Sequence, residues 1–252
     1  MSAKFQLSVC PHDTAKHMVE WFYFNTYLQR RLGHGIHFEP QDNFNAEREA
    51  VLAGGYHLVY ANPFSACAFI QELGFIPIAK VAGLYDETLL ISRQGEGLPE
   101  GRPIRVASAS DKLIVHTLGL SVLENLGIHR EYCEFKLVGN HMKAAHAVLK
   151  HDTDLAFVFN ETWHSMSDTS RQEFNMVAES SDGIAFHCFC ISPEWAERKE
   201  EIRQTLVAMN DDTKGKAILD SLDFHQGLEA LSEDAMDTLQ ALLVYYNTLH
   251  LE

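Results

Sequence analysis

No stretch of the chain approaches the roughly 18 consecutive apolar residues that a membrane-spanning helix requires, so no direct membrane insertion is expected. Met1 to Leu7 is too short and too polar for the apolar region of a secretory leader, which makes the chain, as read, cytoplasmic. Leu251-Glu252 has the look of a junction to a purification tag, and a leader removed ahead of Met1 would make the protein periplasmic instead. Cysteine is sparse: five residues, an odd number without C-x-x-C spacing, fit buried or free thiols better than a disulfide framework. Basic residues are outnumbered 20 to 35 by acidic ones, and the net charge of -15 repels phosphate backbones, so nucleic acid is excluded as a partner. From Ser192 onward 13 acidic residues face 5 basic ones, the pattern of solvated helix faces. The sequence also lacks G-x-S-x-G, H-E-x-x-H, a Walker loop and a G-x-G-x-x-G after a strand. Gly95-Glu96-Gly97 lies in a polar linker. No catalytic residue is assigned and no cofactor is expected.

What is present is globular: 46% of residues are apolar and 22% charged, enough for one large domain or two lobes. Strand-length apolar runs alternate with stretches of helical period, which predicts an α/β fold with mostly parallel sheets. Strands are expected at Phe5 to Val9, Ile36 to Glu39, Leu58 to Ala61 and Phe75 to Ala82. Helices are expected after Cys10-Pro11, with Asp13 or Thr14 as cap, over Asn45 to Ala53, and over Phe64 to Leu73 behind Asn62-Pro63. Thr88 to Arg93 runs into the polar stretch Gln94 to Pro103, where the chain is expected to cross to a second lobe. A new series follows: strands at Ile104 to Ala107, Glu134 to Val138 and Leu155 to Phe159, with helices over Asp111 to Leu126, Met142 to Lys150 and from Glu161. Glu173 to Ala178 and Ile184 to Ile191 read as extended, and Pro193 opens acidic helices that run to Leu249 with no further strand. This order predicts a two-lobed venus-flytrap architecture with two crossing hinge segments. Residues 1–90 and 188–252 form lobe I, 91–187 form lobe II, and a ligand cleft between them is floored by helix N-termini that offer free N–H groups to an anion.

Several segments carry a family resemblance. They are the opening strand with Cys10-Pro11, Ala53-Gly54-Gly55-Tyr56-His57-Leu58, Ala61-Asn62-Pro63-Phe64, Gly139-Asn140-His141 followed by Ala144-Ala145, Asp154-Leu155-Ala156-Phe157-Val158, and Ile191-Ser192-Pro193-Glu194. Their order resembles that of the phosphate and phosphonate ABC-transporter substrate-binding proteins, the PhnD-like branch of the type 2 periplasmic-binding fold, from about Phe5 to Tyr246. The resemblance implies a binding protein, with an ABC permease or a signalling enzyme as partner. It also implies that His141 stands where the family has a ligand-contacting histidine. The family's Ser-Thr-Ser-Gly phosphonate turn falls here on Lys112-Leu113-Ile114-Val115, so its hydroxyl donors are missing. Ser108 and Ser110 lie nearby, and Lys112 meets an anion as a point charge.

The expected ligand-binding set is therefore His12, Asn62, Ser108, Ser110, Lys112, His141 and Asn160, all in strand-to-helix turns, as are Asp13 and Glu161. Each residue type there also serves as an ordinary cap. Within Phe186-His187-Cys188-Phe189-Cys190, strand alternation puts both thiols on one face and His187 on the other. Two thiols on one face suit a soft metal, or a small buried core. The segment is similar to the cysteine-rich motif of thiamine-pyrimidine synthases, and so offers an enzyme alternative with a metal or cofactor near Cys188 and Cys190. The 14 histidines raise a third reading, a metal- or haem-binding protein, although His141, His146 and His151 are spaced by five rather than four. The first expectation is a solute-binding protein that takes a small anionic ligand, an oxyanion such as phosphate or phosphonate, for transport or cytoplasmic sensing.

Overall fold

A computed structural model describes residues 5–99 and 102–249; Met1, Leu251 and Glu252 lie outside the described residues, as do two positions of the Gln94 to Pro103 stretch. In chain order the structure forms β1 (Phe5–Val9), α1 (Pro11–Leu32), β2 (Ile36–Phe38), α2 (Phe44–Leu52), β3 (Leu58–Ala61), α3 (Pro63–Leu73), β4 (Ile76–Val81) and β5 (Thr88–Arg93). It continues through β6 (Ile104–Ser108), α4 (Ile114–Asn125), β7 (Cys133–Leu137), α5 (His141–Leu149), β8 (Leu155–Phe159), α6 (Asn160–Ser165), α7 (Asp168–Arg171) and β9 (Phe174–Glu179). The last part is β10 (Cys188–Ile191), α8 (Lys199–Val207), α9 (Thr213–Ser221), β11 (Leu228–Ala230) and α10 (Asp237–Tyr245).

The chain divides into two compact units. Unit 1 runs to Leu84 and resumes at Phe186–Leu239; unit 2 is Tyr85–Ala185 with the residues from Gln240 onward. The first changeover precedes β5, earlier than the composition of the 94–103 stretch indicates. The reason is pairing: β5 is antiparallel to both β8 and β9, so its apolar run Leu89, Leu90 and Ile91 is buried in the sheet of unit 2. The C-terminal end also differs from the expected return to lobe I. It packs on α4, with the buried hydroxyls of Thr117 and Thr248 2.8 Å apart and Arg130 donating to the Tyr246 carbonyl at 2.9 Å.

The sheet of unit 1 has the order β11-β4-β10-β3-β1-β2. β1 lies parallel to both β2 and β3, whereas β10 and β11 join antiparallel, so the sheet is mixed rather than mostly parallel. β11 was not expected, because three residues at a sheet edge with Glu229 exposed leave no apolar period to read. α1 covers this sheet with a helical stripe of Trp21, Phe24 and Leu28, all fully buried, while Phe22 and Tyr23 face outward as the 3.6 period requires. Phe24 stacks on Phe189 of β10 at 5.4 Å, and Trp21 packs on Tyr60 of β3 at 5.0 Å.

Unit 2 holds the sheet β7-β6-β8-β5-β9, in which β6 is parallel to both β7 and β8. Asp154, ahead of β8, takes a forked pair of hydrogen bonds from Arg102 at 2.7 and 2.8 Å and also accepts from the backbone N–H of Arg105 at 2.9 Å, which ties it to the start of β6. α4 lies so close to the sheet that a Cβ on Gly119 would stand 2.5 Å from the Phe157 ring. This approach fixes where the first turn of α4 sits above the strand ends. Gly119→Ala gains about 1 kcal/mol of helix propensity but forces overpacking worth about 1–3 kcal/mol. The variant is expected to unfold at lower urea concentration than wild type, and a higher midpoint would contradict the close packing of α4 on β8.

Candidate functional site

In unit 2 the parallel trio β7-β6-β8 brings three strand-to-helix turns to one sheet edge. The central turn, after β6, holds Ser108, Ser110 and Lys112. Ser108 donates to the Ser110 carbonyl at 3.4 Å, and the Ser110 hydroxyl accepts from the Lys112 backbone N–H at 3.1 Å. α4 then starts behind Leu113, whose side chain cannot cap it. The flanking turn after β7 is tied to the central one: Val138 N–H donates to the Ser108 carbonyl at 2.9 Å and Gly139 N–H to the Ala109 carbonyl at 2.8 Å. Gly139 sits at φ 93°, a conformation that a side chain would strain. Asn140 caps α5 by accepting from Lys143 N–H at 2.8 Å, and half-buried His141 is the first residue of that helix, its ring 5.7 Å from the ring of Phe159 at the end of β8. The turns that carry Ser108, Ser110 and Lys112 and that lead to His141 are thus bonded side by side.

Asn160 reaches the same edge but is already used. Its side chain donates to the Tyr85 carbonyl at 3.0 Å and accepts from Glu87 N–H at 3.3 Å, which fastens the entry to β5. Beside it, the Glu87 carboxylate accepts from the Ser180 hydroxyl and, at 3.0 Å, from Gly183 N–H. Burial raises the Glu87 pKa, an effect its two donors only partly offset. These bonds join the first and last segments of unit 2, and no local pattern in the sequence marks them.

Unit 1 presents a different chemistry. Asn62 is a satisfied cap: it accepts from Ser65 N–H at 3.0 Å and donates to the Ser65 hydroxyl at 3.0 Å. His12 is half-buried in the first turn of α1. That helix begins behind Cys10 rather than Asp13 or Thr14, with no side-chain cap, and this frees Asp13 to face inward. Asp13 Oδ2 lies 3.0 Å from His187 Nδ1, and the donor atoms of Cys10, Asp13 and His187 all fall within 4.8 Å of one another. Burial alone raises the Asp13 pKa, but the adjacent His187 outweighs it and the carboxyl titrates below its ordinary value. Burial, reinforced by Asp13, pushes the Cys10 thiol up to about 12. The fully buried carboxylate of Glu47, the fourth residue after the α2 cap Asn43, has no hydrogen-bond partner on either oxygen. Burial pushes it up to about 8, against the pull of Arg48 and His187.

Cys188 and Cys190 behave as the core reading of the C-x-C pair anticipates. Both are fully buried with sulfurs 3.5 Å apart, close enough to the buried Cys67 of α3 to interact electrostatically. His187 turns instead to Asp13, as strand alternation predicts. Its partners Cys10, Asp13 and Glu47 come from remote segments, so no local sequence pattern announces the cluster.

Two α/β units, each with helices following a parallel trio of strands, define the solute-binding class of fold. Solved structures agree. XAC2383 from Xanthomonas citri bound to ATP matches with a TM-score of 0.78 at 17% identity, over 98% of each chain. PhnD1 from Prochlorococcus marinus in complex with methylphosphonate gives 0.74 at 11% identity, over 97% of this chain and 98% of that one. The periplasmic aliphatic sulphonate binding protein SsuA from Escherichia coli gives 0.65 at 11% identity, over 99% and 94%. A search of curated proteins finds no match. The family model described as the periplasmic substrate-binding protein of the phosphonate ABC transporter matches residues 7–236, and the chain belongs to that family. The family is one of periplasmic substrate-binding proteins, with a small-molecule ligand and an ABC permease as partners. Among the described residues no helix is long and apolar enough to cross a membrane.

The buried Glu47 gives a testable sign. Its folded-state pKa of about 8 lies above the ordinary 4.5, so the folded chain holds a proton that the unfolded chain releases, and stability falls as pH rises from about 5 through 8. Glu47→Gln removes that loss. Urea midpoints of chelator-treated protein are expected to drop more steeply between pH 5 and pH 8 in wild type than in the variant; parallel profiles would show Glu47 ionised in the folded state.

Proposed function

We propose that the protein binds a small oxyanion of the phosphate or phosphonate type and delivers it to an ABC permease, with its two units acting as the lobes of a periplasmic-type binding protein. The observation that carries this reading is the start of α4. Its first N–H groups have no side-chain cap, the serines and Lys112 of the β6 turn lead directly into it, and the turn that ends in His141 is bonded to the β6 turn. A helix of 12 residues presents a partial positive charge at that end, and Lys112 adds a full one. Methylphosphonate, aliphatic sulphonates, ATP and chloride, named with the structural neighbours, are all anions.

The grip differs in kind from one made of hydroxyls. Leu113, Ile114 and Val115 offer backbone N–H groups only, so charge contributes more to the binding here and directional donors less. Weak discrimination among tetrahedral oxyanions follows. Titration calorimetry with phosphate, phosphite and methylphosphonate is expected to give binding of one ligand per chain. Lys112→Ala should weaken it about ten- to a hundredfold, the value of a hydrogen bond to a charged group. An absence of heat with all three anions would refute the reading.

A further inference from the structure

We propose that Cys10, Asp13 and His187 form a binding site for one divalent cation of the zinc class, with thiolate, carboxylate and imidazole as its three protein ligands. All three residues belong to unit 1.

Geometry is the first support. Metal–ligand bonds of about 2.0–2.3 Å at tetrahedral angles place ligand atoms roughly 3.3–3.6 Å apart. Here Asp13 Oδ2 and His187 Nδ1 are 3.0 Å apart, and no pair among the three donor atoms exceeds 4.8 Å. Asp13 stands against both His187 and Cys10, so all three side chains are turned to one another. A cation placed among them replaces the proton that they share. Sulfur, nitrogen and oxygen together match the borderline preference of Zn(II) and Co(II) more closely than that of Mg(II) or Ca(II), which favour oxygen alone.

Charge is the second. On binding, Cys10 forms its bond to the metal and releases its proton to solvent, so one thiolate and one carboxylate neutralise the dication while His187 binds as neutral imidazole. The buried result carries no net charge. Glu47 is the third support: a fully buried carboxylate with no hydrogen-bond partner, electrostatically coupled to all three residues. Arg48 beside it, His12 in the same turn and Tyr60, whose ring lies 5.6 Å from His187, complete the polar surroundings. Access exists, since the side chains of His187 and Asp13 retain 10% and 17% of their surface exposure.

The test is titration of the chelator-treated full chain with Co(II), followed by displacement with Zn(II). Native mass spectrometry reads stoichiometry, and the near-ultraviolet thiolate-to-cobalt band reads the sulfur ligand. One equivalent is expected to bind and to raise that band. Cys10→Ser should abolish the band and weaken binding at least about a hundredfold, beyond the 10- to 100-fold typical of residues that only orient a ligand. Asp13→Asn, which keeps the thiol and the shape, should weaken binding while retaining the band, and so reports the site even if the serine variant does not fold. Cys188→Ser should behave as wild type. A band that persists in Cys10→Ser, a band lost in Cys188→Ser, or no stoichiometric uptake by wild type would each overturn the proposal.

Discussion

The structure turns on how each helix that follows a parallel strand satisfies its first backbone N–H groups. A helix start at a sheet edge leaves those groups unpaired unless a side chain or a ligand meets them. Asparagine closes three of these six starts: Asn43 caps α2, Asn62 caps α3 and Asn140 caps α5. α1 and α4, the longest helices that follow a parallel strand, begin behind Cys10 and Leu113 without a side-chain cap. Each follows the middle strand of its parallel trio, β1 between β2 and β3 and β6 between β7 and β8. The short α6 also lacks a cap, but Asn160 at its start is committed to Tyr85 and Glu87.

The two open starts carry opposite chemistry. Around α4 stand Lys112, His141 and two serines, a cationic and hydrogen-bonding set that suits an anion. Beside α1 stand Cys10, Asp13 and His187, the three ligating groups proposed for a divalent cation.

Much of this was readable from residues alone. Helix and strand periods located β1, α1, β3, α3, β6 and β8 to within a few residues, because burial forces periodicity on them. The turn residues around Ser108 to Lys112 and His141 came with those elements, since parallel strands must end in turns at one edge. The unit boundary before β5 was not legible: nothing local distinguishes a strand that starts a second sheet from one that ends the first, and pairing with β8 and β9 decides it. Edge strand β11 was too short to show a period. The Cys10, Asp13 and His187 cluster has no local signature in the sequence for a related reason. His187 was correctly turned away from Cys188 and Cys190, but its partners stand more than 170 positions earlier and only the β1-β3-β10 pairing brings them together.

The central claim is that an anion is held by the open start of α4 and the turn beside it. Backbone amide shifts during titration of the isotope-labelled protein with methylphosphonate test it residue by residue. The account predicts the largest shifts at Lys112 to Val115 and at Gly139 to His141. Saturable shifts centred on other turns, with these amides unmoved, would contradict it.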